Sequence, residues 1–438
     1  MLLAATLANG PGELLDFILP LWAGAALGAG SAQTGTLVAA ELAVSVLARP
    51  IAGRLADRHE RSRIAALGAL LQALSCAGFA LAGDLPAAYA AAVLGGIGGA
   101  LLWVTVRAMI GERLAEDSAV FPRLSTAEET GAWVAFATGL AVLSGSGFPT
   151  VFAACAAACL LAAMVLLTAP RRPAPVSRAP SGVPGLGRRL RPMLLAVTVT
   201  MAAEAGVALL LLLHLQRDLG LTVVEIAYVF LPGAVAMAVL PERLHRLVIR
   251  YGRRPVLVVA SLGSAAFAAG LAWAPDPVLI AVLWVLSGVA WAAVIPVQRA
   301  VVAEVSGARI GTGMGRYEAA ALLGSAIGVL SAGALHQGVP WSVACLLGAA
   351  IILVGGVLMP WAVRATGACE YPAPALAGPA PAPAPAGPAP APAPTGPGPV
   401  SQDDSPGVPE NRQLVSAKPE KRSRFRTLGE HAALYAVV

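Results

Sequence analysis

Apolar runs separated by short polar segments follow one another along most of this chain. Each run is long enough to cross a hydrocarbon core of about 30 Å as an α-helix, which satisfies its own backbone hydrogen bonds in lipid. The pattern therefore predicts an all-α integral membrane protein with twelve transmembrane spans. The predicted spans, numbered 1 to 12, cover residues 2–28, 33–53, 64–83, 86–110, 125–146, 148–169, 192–215, 221–241, 255–274, 277–302, 313–335 and 341–363.

Composition and charge agree with this assignment. Hydrophobic residues make up 57% of the chain, charged residues 12%, and the mean hydropathy is +0.74, which lies outside the range of soluble domains. Arginines cluster after spans 2, 6 and 8, and such loops stay cytoplasmic. We expect both termini in the cytoplasm and the protein in the cell membrane. The net charge of +6 follows from this topology, so no nucleic-acid partner is expected.

The opening residues, MLLAATLANG, enter the first apolar run directly. They lack the charged region and the cleavage site of a signal peptide, so we assign them to span 1.

The chain repeats itself at an offset of 192 residues, where MLLAATL at Met1 aligns with MLLAVTV at Met193. Internal repeats build many transporters, so we expect two pseudo-symmetric six-helix bundles at residues 1–169 and 192–365. A cytoplasmic loop at 170–191 joins them, and an Ala/Pro-rich tail at 366–438 is predicted to be disordered. The same offset pairs Arg58 with Arg250, Arg61 with Arg253 and Glu112 with Glu304, and Glu129 corresponds roughly to Glu318.

A charged motif, GRLADRHERSR, follows span 2. It resembles the signature G-x-L-A-D-R-x-G-R-[KR] of the major facilitator superfamily through Gly53, Leu55, Ala56, Asp57, Arg58 and Arg61. Glu60 and Ser62 depart from the signature. The second repeat keeps Arg250, Gly252 and Arg253 but has His245 and Ile249 in the places of Gly53 and Asp57. The resemblance covers about residues 1 to 365 and implies two halves that rock around a central site.

The motif has a physical interpretation as a gate latch. Gly53 removes a side chain where two helices approach, and Asp57 is placed to accept hydrogen bonds from a helix N-terminus. The family resemblance implies that this partner is the start of span 11, near Gly311 to Gly315, and that the contact closes the cytoplasmic side. The alternative is an ordinary basic loop that fixes topology. Glu60 either weakens the latch or pairs with Arg63.

Four acids lie inside predicted spans, where ionisable residues are costly and usually functional. They are Glu13 and Asp16 in span 1, Glu41 in span 2 and Glu204 in span 7. Burial favours the protonated carboxyl, so such groups can take up and release protons as a cavity opens to either side. The alternatives are carboxylates that hydrogen-bond between helices for packing, or acids that lie nearer the membrane interface.

Charged residues of both repeats also lie near the cytoplasmic ends of other spans. Arg107 and Arg299 occupy equivalent positions in spans 4 and 10, where they either snorkel to the headgroups or pair across a gate. Glu128, Glu129 and Glu318 lie at the matching ends of spans 5 and 11. We expect salt bridges among these groups to form and break during a transport cycle.

These features favour proton-coupled export of small amphipathic or cationic organic compounds by alternating access. Related antiporters often carry an arginine in span 4, but Ala91 or Ala92 takes its place here. Proton-coupled uptake of a metabolite and a non-transporting sensor or scaffold are the alternatives. We find no nucleophile and base pairing, metal cluster or phosphate-binding loop in the sequence, so no enzymatic activity and no metal or other cofactor is expected. The expected partners are a small-molecule substrate, protons and the lipid bilayer, and the protein is expected to be a monomer.

Overall fold

A computed structural model describes residues 1–168 and 185–372, and within these ranges the chain is helical, without β-strands. Short helical turns follow α6, α9 and α10 at His214–Asp218, Leu271–Trp273 and Gly307–Arg309. The helices are α1 (Leu2–Leu27), α2 (Ser31–Arg58), α3 (Arg61–Leu81), α4 (Leu85–Gly111), α5 (Val120–Thr168), α6 (Leu186–Leu213), α7 (Val223–Val239), α8 (Pro241–Tyr251), α9 (Arg253–Gly270), α10 (Pro277–Ser306), α11 (Ile310–Gly338) and α12 (Trp341–Thr366).

The number of membrane spans depends on how interrupted helices are counted. By length and hydropathy, the described residues hold nine segments able to cross a membrane, or ten if the bent pair α7 and α8 is one span. Twelve are reached when two of the segments are divided at glycines with positive φ, a conformation that glycine adopts at little cost. Gly147 interrupts α5 with a φ of 77°, and Gly307, with a φ of 51°, separates α10 from α11. The count of twelve therefore stays a prediction.

Helix starts repeat at the 192-residue offset. Asp84 caps α4 by accepting from the Ala87 N–H at 2.9 Å, and Asp276 caps α10 by accepting from the Leu279 N–H at 2.9 Å. Such caps satisfy N–H groups that the helix leaves free. The starts of α2 and α7 also match. The Gln33 side chain accepts a hydrogen bond from the Gly30 N–H, and the Glu225 side chain accepts one from the Thr222 N–H.

The two halves pack their helices in the same way. Helix α1 packs on α5 as α6 packs on α11, and α3 packs on α4 and α5 as α9 packs on α10 and α12. Glycines allow the closest crossings, because a Cβ on Gly131 would lie 2.2 Å from the Thr6 carbonyl oxygen. At the equivalent crossing, a Cβ on Gly324 would lie 2.4 Å from the Thr198 carbonyl oxygen. The pseudo-symmetry predicted from the repeat is thus present in the packing.

Apolar packing joins the halves at one end of the bundle. There a single core contains residues of both halves, including Met109 and Phe121 from the first and Val297 and Met314 from the second. Toward the opposite end each half has a core of its own, around Trp22 in the first and around Phe267 in the second. We call the shared end the gate end. The bundle is closed there.

Two predicted boundaries are wrong. Helix α6 begins at Leu186, inside the loop predicted at 170–191. Leu186 and Leu190 lie on the same side of its first turns and are buried, which stabilises these turns as helix. The tail predicted to be disordered from 366 begins with an ordered segment, in which Cys369 and Glu370 bind α9 and α10. The rest of the predicted loop and tail, 169–184 and 373–438, lies outside the described residues.

Candidate functional site

The motif after span 2 lies where α2 meets the start of α11. The Asp57 carboxylate accepts hydrogen bonds from the Gly311 N–H at 2.8 Å, the Thr312 N–H at 2.8 Å and the Thr312 hydroxyl at 2.6 Å. The first N–H groups of a helix have no partner within it, and the N-cap residue of α11, Arg309, supplies no side-chain cap. Asp57 in one half therefore caps a helix of the other half. We call this contact the first latch.

Glycines bring the two backbones together at the first latch. A Cβ on Gly53 would lie 2.4 Å from the Gly311 carbonyl oxygen, and one on Gly315 would lie 2.4 Å from the Arg49 carbonyl oxygen. Real Cβ atoms do not approach so closely. The predicted partner near Gly311 to Gly315 is therefore the segment that α2 touches.

The arginines of the motif divide into a buried pair and an exposed pair. Arg61 donates to the Ala56 carbonyl oxygen at 2.9 Å and forms an ion pair with Glu112, and its repeat counterpart Arg253 pairs with Glu304 at 2.6 Å. Each ion pair lies within one half and joins the start of one helix to the end of the next. Arg58 and Arg250 are exposed and form no ion pair with any described residue.

Glu60, which departs from the family signature, pairs with Arg63 at 2.8 Å and accepts from the Ser62 hydroxyl at 3.1 Å. The pairing alternative is thus the one that the structure contains.

The second repeat makes a different contact between halves. His245, in the place of Gly53, shares a hydrogen bond of 3.0 Å with Ser118, just before α5. Arg123 in α5 lies 3.9 Å from Glu242 in α8. We call this the second latch. Ile249, in the place of Asp57, is 52% exposed.

Gly252 and Arg253 bind the segment after α12. The Arg253 N–H donates to the Glu370 carbonyl oxygen at 2.9 Å, and the Arg253 guanidinium donates to the Cys369 carbonyl oxygen at 2.9 Å. Gly252 has a φ of 88°, and a Cβ there would lie 2.9 Å from a Glu370 carboxylate oxygen. These contacts join the second half to the segment that directly follows it.

Between the latches, a buried cluster of five charged residues joins the halves. They are Arg49, Arg107, Glu128, Arg299 and Glu318, each less than 10% exposed. Glu318 pairs with Arg49 at 2.5 Å and with Arg107 at 2.5 Å, and Glu128 pairs with Arg107 at 3.0 Å and with Arg299 at 2.7 Å. Two carboxylates thus neutralise part of the charge of three guanidinium groups. We call these five residues the gate cluster.

Two predictions about this cluster need changing. Glu129 makes none of the ion pairs of the gate cluster, because the next residue on a helix points about 100° away and Glu128 faces Arg107 and Arg299 instead. Arg49 was not predicted as a site residue. Its position inside predicted span 2 is the signal that identifies it, since an arginine in a span needs a partner.

The four predicted acids lie on α1, α2 and α6, and electrostatic interactions connect them through Asp16 and Glu129. Glu13 and Asp16 share the exposed face of α1, and Glu13 interacts electrostatically with Asp16 and Glu129. Glu204, from the other half, also interacts with Glu129. Among the described residues none of the four forms a hydrogen bond or an ion pair. Glu129 therefore belongs with these acids, which we call the cavity acids.

Glu204 and Glu41 have different surroundings. Glu204 lines a narrow cavity of ≈ 30 Å³ with Ser264, Trp284 and Trp291, which is room for about one or two water molecules. Glu41 lies against α4, where a Cβ on Gly95 would lie 2.8 Å from its carboxylate oxygen. It also interacts electrostatically with Asp16.

In α4, the position at which related antiporters carry an arginine lies in the contact with a neighbouring helix. Ala91 and Ala92 are buried, and the Ala91 carbonyl oxygen accepts from the Ser75 hydroxyl at 2.8 Å.

Hydrogen bonds and ion pairs between the two halves of the described chain all lie in the gate cluster and the two latches. The gate end is therefore held by polar contacts and by the shared core.

The sequence and the fold are similar to those of known proteins. The sequence matches the model of the Major Facilitator Superfamily twice, over residues 1–244 and 193–428. Solved structures with a similar fold include the human organic anion transporter MFSD10, with a TM-score of 0.67 and 18% identity over 82% of this chain and 97% of that chain. The proton:xylose symporter XylE has a TM-score of 0.68 and 16% identity, over 82% of this chain and 93% of that chain. The E. coli fucose:proton symporter FucP has a TM-score of 0.68 and 17% identity, over 82% of this chain and 97% of that chain. No curated protein sequence matches the chain.

Proposed function

Because this chain belongs to the Major Facilitator Superfamily and has the fold of its transporters, we propose that it exports small amphipathic or cationic organic compounds in exchange for protons. The observation that carries the proposal is the set of cavity acids, which come from both halves and form no hydrogen bond or ion pair with a described residue. Carboxylates that form no ion pair bind either protons or an organic cation. Competition between the two for the same groups couples their movements.

Apolar and aromatic side chains near the acids fit a substrate with a hydrophobic body. Phe17, which follows Asp16 in the sequence, packs edge-to-face on Phe136 with the ring centroids 5.7 Å apart. Trp284 and Trp291 lie beside Glu204 in the other half. Binding sites of this composition fit amphipathic molecules, since few polar groups are present to bind a polyol.

The gate cluster and the latches supply the conformational half of the mechanism. In this structure they close the gate end, which our topology places at the cytoplasmic side. A proton that neutralises a cavity acid reduces the repulsion among Glu13, Asp16 and Glu129 and favours rocking of the halves. The gate cluster then separates, the cavity opens to the cytoplasm, and the proton is released as substrate binds.

The test uses purified protein in liposomes with an acidic interior and an internal pH dye. Addition of an organic cation outside should make the interior more alkaline, because protons leave as the cation enters. Asp16→Asn and Glu204→Gln should abolish this signal. Asp84→Asn is the matched control, since it removes a carboxylate outside the cavity and keeps an acceptor for the Ala87 N–H.

Acidification of the interior on addition of a compound would show that the compound and the proton enter together, and would overturn exchange in favour of uptake. No pH change with cationic, neutral or anionic compounds would contradict proton coupling altogether. A signal that survives both Asp16→Asn and Glu204→Gln would remove these residues from the mechanism.

A further inference from the structure

Helix α8 departs from the direction of α7 and is amphipathic. The two helices meet at an angle of 56° at Leu240, so α8 runs in a different direction from α7. Its sequence, PERLHRLVIRY, places arginines and apolar residues on different sides. Helices of this kind lie at the boundary between lipid headgroups and acyl chains.

The apolar side of α8 forms one wall of a groove. Leu247 and Tyr251 of α8 face Val259 and Gly263 of α9, and Ala290 lies on the α10 wall. The cavity has a volume of ≈ 470 Å³ and its lining residues are almost all apolar. It extends along α9 from Pro255 to Gly263, which corresponds to about 12 Å at 1.5 Å per residue. A groove of this length and composition fits part of an acyl chain.

Three arginines of α8 each precede a residue that lines this groove, Leu244, Leu247 or Tyr251. Arg243, Arg246 and Arg250 are spaced by three and four residues, so they lie along one side of α8. All three are exposed, and none forms an ion pair with a described residue. The Arg250 guanidinium lies 5.2 Å from the centre of the Tyr251 ring, which itself lines the groove. Unneutralised positive charge is thus placed directly beside the apolar cavity.

Other arginines nearby already have partners. Arg253 pairs with Glu304, Arg254 pairs with Glu370, and Arg123 pairs with Asp117. Positive charge is thus paired at the start of α9, at Arg253 and Arg254, and unpaired along α8 at Arg243, Arg246 and Arg250. An anion with an apolar chain complements both features at once.

We propose that α8, α9 and α10 form a binding site for an anionic phospholipid, with one acyl chain in the groove and the phosphate on Arg243, Arg246 and Arg250. Basic residues attract anionic headgroups, and the apolar groove adds the contribution of the buried chain. Helix α8 connects the groove to the second latch, because His245 lies on the same helix. The site does not depend on which substrate is transported.

The repeat supplies a matched control. At the 192-residue offset Arg246 and Arg250 correspond to Arg54 and Arg58, which are equally exposed at the end of α2. Arg246→Gln with Arg250→Gln should weaken binding of phosphatidylglycerol to the full-length protein in detergent by about tenfold or more, as measured by native mass spectrometry. Arg54→Gln with Arg58→Gln should change it by less than about twofold, and phosphatidylcholine binding should not respond to either pair.

A second variant tests the groove itself. The nearest atom to a Cβ on Gly263 is Leu286 Cδ1 at 3.5 Å, so Gly263→Leu fills the groove without a backbone clash. It should weaken binding of phosphatidylglycerol with long chains and leave binding of a short-chain analogue unchanged. Equal losses for both arginine pairs, or equal affinity for phosphatidylglycerol and phosphatidylcholine in the unmodified protein, would overturn the proposal.

Discussion

Helices α5 and α11 begin at equivalent places in the two repeats, but their first N–H groups are satisfied from different halves. In the turn that begins α5, Asp117 accepts from the Ala119 N–H at 2.9 Å, so this N–H is satisfied by a residue of the same half. At α11, the residue at the position of Asp117 is Arg309, which provides no cap, and Asp57 in the other half takes that role. A difference of one side chain thus decides whether a helix start can hold the two halves together.

The consequence is an asymmetric gate. The first latch has three hydrogen bonds to a carboxylate, and the second has one between His245 and Ser118 together with the distant pair of Arg123 and Glu242. Hydrogen bonds to charged groups contribute about 1.5–3 kcal/mol each and neutral ones about 1 kcal/mol. We therefore expect the first latch to determine how stable the closed gate is.

The largest effect should come from Asp57→Ala. Loss of the carboxylate leaves the start of α11 without its cap and should destabilise the closed state by about 2 kcal/mol or more, a change of about 30-fold in the ratio of closed to open protein. The measurement is double electron–electron resonance between spin labels at His59 and Ala308, both exposed. The distance distribution should shift toward longer values.

Ile249→Ala is the matched control for Asp57→Ala, since Ile249 occupies the equivalent position in the second repeat and lies on the surface. It should leave the distance distribution unchanged. Equal shifts in both variants would mean that the first latch contributes nothing special to closure.

The first latch was predictable from sequence because its chemistry is local and carried by a motif. Gly53 and Asp57 at the end of a helix predict a close helix crossing and a carboxylate that caps another helix. The repeat aligned Arg61 with Arg253 and Glu112 with Glu304, and the same ion pair forms in each half. The twelve apolar runs likewise indicated the helical fold.

The rest depended on tertiary distances that no single segment contains. Glu128 and Glu129 are neighbours in sequence, and only the rotation of α5 decides that Glu128 enters the gate cluster while Glu129 faces the cavity. The role of Arg49 required Glu318, 269 residues away. The cap by Asp117 was missed because one acid in a polar turn has no special pattern.

An intermediate effect should come from Arg309→Asp, which gives α11 the residue that α5 has at the equivalent position. A local cap is worth about 1 kcal/mol and would compete with Asp57 for the Gly311 N–H, with added repulsion between two carboxylates. The labels at His59 and Ala308 should then report partial opening. Arg309→Ala is the control, because it removes the arginine without supplying a cap. Equal opening in the two variants would attribute the effect to lost positive charge.

The smallest effect should come from the second latch, and a double-mutant cycle compares it directly with the first. Ser118→Ala and His245→Ala should each favour opening between labels at Ala115 and Arg246, with a coupling energy of about 1 kcal/mol for one neutral hydrogen bond. The cycle of Asp57→Ala and Thr312→Val should give a larger coupling, because the Thr312 hydroxyl donates to a carboxylate at 2.6 Å. If the Ser118 and His245 cycle gave the larger value, the closed gate would depend mainly on the second repeat. The trans cap at α11 would then contribute less to closure than the second latch does, because each contact shifts the equilibrium by its own difference in free energy between the two states.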